Sequence, residues 1–388
     1  MLSPMCLLWP LAVVYDAVTS VRNLLFDKGI IPERKFDVPV IAVGNLAVGG
    51  TGKTPHTEYL IRLLHNRRVA MLSRGYGRQT KGYRLATAET TAEEIGDEPF
   101  QIKHKMPDCI VAVDEQRCRG IERLRQDTPA DVVVLDDAYQ HRHVKAGLYI
   151  LLTDYARLYC HDWLMPAGRL RESARGAKRA DLIVVTKCPQ QLSETEQAQI
   201  IKKLSPRKGQ KVFFTTFVYG RPYPLFPQEA SPCPDIDGRQ VLTITGIAKP
   251  APLYAHLKAQ GAEVRPQRFA DHHHFSDQDL KLLNQAFETI DKATPAQGKE
   301  ALALTTEKDA ARFMAQADKL SNQLRRRLYV QPIEVRFIDN HHNAFNHIIT
   351  DYASKDQRHG RLDTLPHTKP PTNGYHTRHR FGPTRLRD

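Results

Sequence analysis

The sequence predicts an α/β protein: a mostly parallel sheet with helices on both faces, a smaller C-terminal α/β lobe, and an N-terminal helix. Three observations carry this. Short β-branched runs alternate with helical patterns from residue 37 to about 218. Such apolar runs, with no polar residue at every second position, mark strands covered on both faces. A glycine-rich loop stands between the first of these strands and the first helix that follows it. A Pro-rich stretch, 221–234, then separates a second, shorter series of strands and helices. With 388 residues, 41% hydrophobic and 26% charged, the composition excludes wholesale disorder and fibrous repeats.

Taken in order, residues 1–30 are the most apolar part. Residues 5–15 read M-C-L-L-W-P-L-A-V-V-Y, and Val18, Val21, Leu24, Leu25 and Phe26 continue at helical spacing. No stretch reaches the ~18 apolar residues of a spanning helix. No positive cluster precedes the run and no A-x-A site follows it, which argues against a cleaved signal peptide. The segment reads either as a helix packed on the domain or as an interfacial anchor. In the second case Trp9 and Tyr15 sit at headgroup level, with Arg22 and Lys28 facing lipid phosphates.

Residues 31–220 hold strands at 38–43, 69–72, 109–113, 132–135, 149–152, 182–186 and 212–217. Residues 221–350 open with the Pro-rich linker. They continue with strand 241–245, helices near 253–260 and 276–290, strand 301–305, helix 308–317 and strand 327–335. Residues 351–388 read as a disordered basic tail, because 355–388 carries eight Lys and Arg against three Asp.

Lys and Arg number 56 against 43 Asp and Glu, a net charge of +13. That excess points to an anionic partner: nucleic acid, a membrane surface or a phosphorylated substrate. Aromatic residues are only 8% and do not interleave with basic ones outside the tail, so no nucleic-acid partner is expected. The six cysteines form no C-x-x-C pair, which argues against a disulfide framework or a Cys-type zinc site and for a reducing compartment.

The strongest chemical signal is Ala47-Val-Gly-Gly-Thr-Gly-Lys53-Thr54. It follows a strand and precedes a helical pattern with Tyr59, Leu60, Leu63 and Leu64 on one face, the context of a P-loop NTPase-type sheet. Gly49, Gly50 and Gly52 let the backbone curl so that its N–H groups face phosphate oxygens, and Thr51 between them belongs to the same nucleotide-binding loop. The helix N-terminus adds positive potential. In such loops Lys53 reaches the terminal phosphates of ATP and the Thr54 hydroxyl ligates Mg²⁺. The partner strand ends in Val132-Val-Val-Leu135-Asp136-Asp137. One of Asp136 and Asp137 is expected to hold Mg²⁺, directly or through water, and the other to orient a neighbour.

Further motifs occur in a fixed order. They are Val43-Gly-Asn-Leu-Ala-Val-Gly-Gly-Thr-Gly-Lys-Thr-Pro55, Leu72-Ser-Arg-Gly-Tyr-Gly-Arg78, Gly96-Asp-Glu-Pro99, Leu135-Asp-Asp-Ala-Tyr-Gln-His141 and Pro166-Ala-Gly-Arg-Leu-Arg-Glu172. Thr245-Gly-Ile-Ala-Lys-Pro250, Asp271-His-His-His-Phe275 and Leu304-Thr-Thr-Glu-Lys-Asp309 follow. This series, from about residue 5 to 338, resembles the tetraacyldisaccharide 4'-kinase family of Gram-negative bacteria. The resemblance implies transfer of the ATP γ-phosphoryl group to the 4'-hydroxyl of an acylated glucosamine disaccharide 1-phosphate, giving lipid IVA. It also implies a monotopic or peripheral enzyme on the cytoplasmic face of the inner membrane. Pro4, Pro10 and Asp16 favour an N-terminal helix that lies on that membrane over one that spans it. A monomer is the expected state.

Asp97 precedes a proline that marks a helix start, so on local grounds it is an N-cap. The resemblance instead makes it the catalytic carboxylate that accepts a hydrogen bond from the attacking hydroxyl. The resemblance also places a catalytic His in the Asp-His motif, carried to His272 with His273 as second choice, pairing with Asp97. Adjacent histidines make a poor shared metal site, so no metal is expected there. Arg169 and Arg171 suit bidentate contact with the transferring phosphoryl or the substrate phosphate, and Glu172 is a candidate for Mg²⁺ through water. Ser73, Arg74 and Tyr76 end a strand at the sheet edge where ligands bind. They are candidates for the sugar site.

Two other classes compete. One is a GTPase-like switch or metallochaperone: in GTPases an Asn-Lys-x-Asp motif reads guanine, but the segment here is Thr186-Lys-Cys-Pro189, with no Asp two residues after the lysine, which argues against guanine specificity. Nucleic-acid binding has only the charge in its favour.

Overall fold

The computed structural model describes residues 8–271, 273–293 and 299–354. Its main sheet has nine strands: β1 (Val40–Asn45), β2 (Val69–Ser73), β3 (Arg84–Leu85), β4 (Ile110–Val113), β5 (Val132–Leu135), β6 (Leu148–Asp154), β7 (Leu182–Thr186), β8 (Lys211–Tyr219) and β14 (Ile333–Phe337). Their spatial order is β14-β8-β7-β6-β1-β5-β2-β4-β3. All neighbours are parallel except the edge pairs β14–β8 and β3–β4. The apolar runs are explained by burial on both faces. Ile41 and Val43 enter one core and Val40 and Ala42 the other. Strand β1 lies between β5 and β6, so the loop after it opens at the carboxyl edge of the sheet centre, where α/β proteins bind ligands.

A second sheet of five strands has the order β11-β10-β12-β13-β9. It is built from β9 (Tyr223–Pro224), β10 (Gln240–Thr245), β11 (Glu263–Arg268), β12 (Leu302–Thr306) and β13 (Leu328–Gln331). Helices Asp277–Ala293 and Glu307–Met314 cover it, with Phe275, Leu283, Phe287 and Phe313 in its core.

Three expectations need correction. The stretch 221–234 is not a bare linker: Tyr223 pairs with Val330, and Leu225 is buried in the second core. The strand expected at 327–335 is two strands in different sheets. Pro332 between them has no N–H to continue a ladder, and the chain crosses there to pair β14 with β8. The second lobe therefore ends near residue 332 and not at 350. The following helix, His342–Ser354, returns to the first lobe, buries Phe345 and Ile349 beside Ile41, and bonds the Val40 carbonyl through the Tyr352 hydroxyl at 3.1 Å. Strand β11 was not expected, because its residues E-V-R-P-Q-R lie at an edge with little apolar character. The tail from 355 onward lies outside the described residues.

Helix Trp9–Asp27 buries only Ala12 and Phe26. Val14 and Val18 are 62% and 64% exposed, and Trp9, Leu11, Val21 and Leu24 are exposed with them. Its polar side is tied down. The Tyr15 hydroxyl donates to the Arg171 carbonyl (2.8 Å), Asn23 donates to Glu172 (3.0 Å), and Arg22 donates to the Gln140 carbonyl (3.1 Å). No described helix is long and apolar enough to cross a membrane.

Candidate active site

The loop after β1 curls as its glycines allow. Gly49 and Gly52 take φ of 111° and 88°. At Gly52 a Cβ would lie 2.5 Å from the Phe217 ring, so glycine is needed on both counts. The loop is then braced from three sides. Asn45 donates to the Thr51 hydroxyl (2.8 Å), and the Thr186 hydroxyl donates to the Thr51 carbonyl (2.8 Å). The Lys187 ammonium donates to the Gly50 carbonyl and to Asp154 at 2.8 Å. His56 Nδ1 bonds the Gly52 carbonyl at 2.8 Å, and its burial pushes the imidazole down to about 4, against a smaller opposing effect of that bond. A neutral histidine therefore backs the loop, and the positive side chains on it are Lys53 and Lys187. The Thr54 side chain follows in the first helical turn, partly exposed.

Lys53 Nζ stands 3.7 Å from Asp137, which also takes Arg171 Nη1 at 3.2 Å. Burial would raise the Asp137 carboxyl, but Lys53, Arg171 and Arg117 together hold it below the usual carboxylate range. Asp137 has φ 47°, a left-handed turn that aims its side chain back over the loop. Asp136 points inward and accepts from Thr57 at 3.1 Å. Its burial, with Glu98 and Asp137 nearby, pushes it up to about 7. Its other oxygen is buried without a hydrogen-bond partner. The two aspartates of one dipeptide are thus driven in opposite directions.

Arg171 arrives on a segment laid along the loop. Val48 N–H donates to the Arg169 carbonyl (2.8 Å) and Arg171 N–H to the Leu46 carbonyl (2.7 Å). This places the Arg171 guanidinium between Asp137 and Asn45 (3.1 Å). The Arg169 side chain is exposed.

Asp97 is the first residue of helix Asp97–Lys105. It makes no side-chain cap. Instead Arg312 of the second lobe donates to its Oδ2 through Nη2 (2.7 Å) and Nε (3.2 Å). The next residue, Glu98, is close enough to act on Asp136, so this helix start faces the Asp136–Asp137 pair. His272 lies outside the described residues. His273 is engaged elsewhere, with Nε2 on Asp279 at 3.0 Å and its ring stacked on Phe269.

The family model for tetraacyldisaccharide-1-P 4'-kinase matches residues 4–353. The chain belongs to the tetraacyldisaccharide 4'-kinase family. It is a kinase whose reaction is the 4'-phosphorylation step of lipid A biosynthesis. The tetraacyldisaccharide 4'-kinase of Bacteroides thetaiotaomicron is 46% identical over 363 residues, covering 90% of this chain and 94% of that one. That of Flavobacterium johnsoniae is 47% identical over 357 residues, with 90% and 97% covered. The crystal structure of LpxK from Aquifex aeolicus in complex with ATP superposes with a TM-score of 0.70 at 28% identity, covering 90% of this chain and 99% of that one.

For a tetraacyldisaccharide 4'-kinase the remaining candidates divide unevenly. Ser73 is buried, its hydroxyl accepting from Gly75 N–H at 3.4 Å, so it shapes the turn. Arg74 and Tyr76 project from that turn, Tyr76 82% exposed, into an open cleft of about 390 Å³ shared with Arg78, Lys81 and Glu115. Glu172 is buried among donors from three segments. Its oxygens accept from Arg179 (2.8 and 2.9 Å), Asn23 (3.0 Å) and Gln140 (3.0 Å), so it joins the N-terminal helix to the site.

Sequence reasoning missed Arg117. This guanidinium is 3% exposed, lies within electrostatic reach of Asp136, Asp137 and Arg74, and is pulled down to about 10 by burial. Its Nε and Nη2 have no hydrogen-bond partner. Beside it His141 is pushed down to about 4 by burial and by Arg117 and Arg74. Nothing in the local sequence D-E-Q-R-C-R separates Arg117 from Arg119, which pairs with Asp114 at 2.6 Å on the half-exposed side.

Proposed function

We propose that the chain transfers the γ-phosphoryl group of ATP to the 4'-hydroxyl of the acylated glucosamine disaccharide 1-phosphate, giving lipid IVA. The Lys53–Asp137–Arg171 constellation beside the glycine loop carries this reading. Backbone N–H groups and Lys53 bind the phosphates, and Arg171, freed from Asp137 by the arriving nucleotide, meets the transferring group. Phosphoryl transfer has a loose transition state, so positioned charge does most of the catalysis. Asp97 accepts the hydrogen bond of the attacking hydroxyl and takes its proton late. His272 pairs with Asp97 in this scheme.

A divalent cation fits the residues present. Asp136 offers a buried oxygen that lacks a partner. Mg²⁺ typically takes one or two protein ligands and fills its shell with phosphate and water. Thr54 and Asp136 would hold it, with Asp137 in support. When bound, it neutralises charge on the transferring phosphoryl.

Arg74 and Tyr76 are the groups on which the polar disaccharide lies, with the buried charge of Arg117 behind them. The acyl chains run toward helix Trp9–Asp27. Its exposed apolar face rests on the cytoplasmic surface of the inner membrane while its polar face holds Arg171 and Glu172. We assign a monomer to this peripheral position. The test is transfer of labelled phosphate from Mg-ATP to detergent-solubilised tetraacyldisaccharide 1-phosphate, resolved by thin-layer chromatography. A labelled bisphosphorylated lipid is expected. A preference for GTP, or hydrolysis with no labelled lipid, would overturn the reading in favour of a switch.

A further inference from the structure

Two motifs of the second lobe, Thr245-Gly-Ile-Ala-Lys-Pro250 and Leu304-Thr-Thr-Glu-Lys-Asp309, lie away from the phosphate loop and its aspartates. The structure joins them at Asp309, which is fully buried. Its Oδ2 accepts from the Thr306 hydroxyl (2.7 Å) and from Gly246 N–H (2.9 Å). A Cβ at Gly246 would come within 2.8 Å of Asp309 Oδ1, so only glycine permits the approach. This is more than a helix cap requires, since a cap needs one oxygen and one N–H. The remaining oxygen, Oδ1, accepts from Arg312 Nη1 at 3.1 Å.

Arg312 is buried one turn along the same helix, with only 6% of its side chain exposed. Nη1 also reaches the His273 carbonyl (3.4 Å), while Nη2 and Nε extend to Asp97 in the other lobe. Both bonds to Asp97 end on Oδ2, so Arg312 leaves Oδ1 for the acceptor hydroxyl. One guanidinium therefore fixes the rotamer of Asp97 while it is itself held by Asp309 and the His273 carbonyl.

We propose that Arg312 is a positioning residue for Asp97, delivered by the second lobe, and that the two motifs of that lobe serve to aim it. The proposal rests on the reading of Asp97 as the carboxylate that faces the attacking hydroxyl. Phosphoryl transfer with a loose transition state gains more from placement than from basicity, and a carboxylate displaced by ~1 Å loses about 100-fold. The base is then correctly placed only while the second lobe is seated against helix Asp97–Lys105.

The test is a double-mutant cycle on the full chain with detergent-solubilised lipid, alongside thermal unfolding and ATP titration. Arg312→Met is expected to lower kcat about 100-fold, with KM for ATP changed by less than about 2-fold. Arg312→Lys, which keeps the charge without the fork, should recover about tenfold of that loss. In the Asp97→Asn background Arg312→Met should cost less than about 2-fold, because Arg312 acts through Asp97. Equal losses in both backgrounds would reduce Arg312 to lobe packing and overturn the proposal, as would an unchanged kcat in Arg312→Met. If Asp97→Asn alone keeps wild-type kcat, the reading of Asp97 fails first, and the single variant shows it. Should Arg312→Met fail to fold, Arg312→Lys carries the same cycle.

Discussion

The glycine loop is closed by contacts inside one lobe, whereas Asp97 is held by a residue 215 positions away in the other. The loop is braced through its own backbone: Thr186, Lys187 and His56 bond its carbonyls, and Asn45 bonds the Thr51 hydroxyl. Those partners sit on β1, at the end of β7 and just after it, and on the helix that follows the loop, elements fixed by burial of the central sheet. The acceptor side has no such frame. Its carboxylate sits at a helix start, a third exposed, and its orientation comes from Arg312. On the proposed roles of Lys53 and Asp97, binding phosphate and activating the hydroxyl are structurally separable, and only the second depends on how the lobes meet.

Disabling each side in turn separates their contributions. Lys53→Ala should lower kcat by about 10³-fold and weaken ATP as well, since Lys53 serves both ground state and transition state. Asp97→Asn should lower kcat by about 10²- to 10⁴-fold with ATP binding unchanged. Steady-state kinetics with varied ATP and lipid separate the two. An Asp97 variant that loses ATP affinity would erase the distinction.

A smaller effect is expected at Lys187, which is partly exposed and holds the Gly50 carbonyl. Lys187→Ala should weaken nucleotide binding by about 3- to 10-fold in titration calorimetry, within the range for a solvent-screened charged hydrogen bond. The turnover of bound substrate should change little, because the acceptor side is untouched.

The smallest signal is a proton count. Asp136 stands near 7 because of burial first, then Glu98 and Asp137. Below that value the unliganded carboxyl is mostly protonated, and a bound cation favours the ionised form. Binding of preformed Mg-nucleotide should thus release close to ~1 proton at pH 6 and about a tenth of one at pH 8. Calorimetry in buffers of different ionisation enthalpy measures this, and Asp136→Asn should abolish the difference between the two pH values. Equal release at both pH values in the wild type would remove Asp136 from the cation site.

Much of the phosphate side was legible because its signal is local. The glycines at 49, 50 and 52 mark a backbone that curls, which the positive φ of Gly49 and Gly52 bears out, and the strand before them and the helix after them announce themselves by periodicity. The aspartates after β5 follow from the same logic, though not the opposite directions in which they titrate. Arg171 was legible as a cation beside the loop, but its pairing with Asp137 was not, and the partners of Glu172 were not legible either. Its actual partners, Asn23, Gln140 and Arg179, lie on separate segments that no spacing rule connects. Arg117 was invisible for a related reason: its burial depends on elements that pack around it from elsewhere in the chain.

The chain by itself determined the sheet, the loop and the family. Each follows from near-neighbour chemistry: β-branched runs, glycine backbone freedom and motifs in fixed order. Tertiary structure alone decided that the chain returns to the first sheet after Pro332, and that the N-terminal helix presents its apolar face outward while gripping Arg171 and Glu172. It alone decided that Arg312 reaches Asp97. These are meetings of residues far apart in sequence. The physics that brings them together is burial and charge pairing summed over the whole fold, which no local pattern encodes.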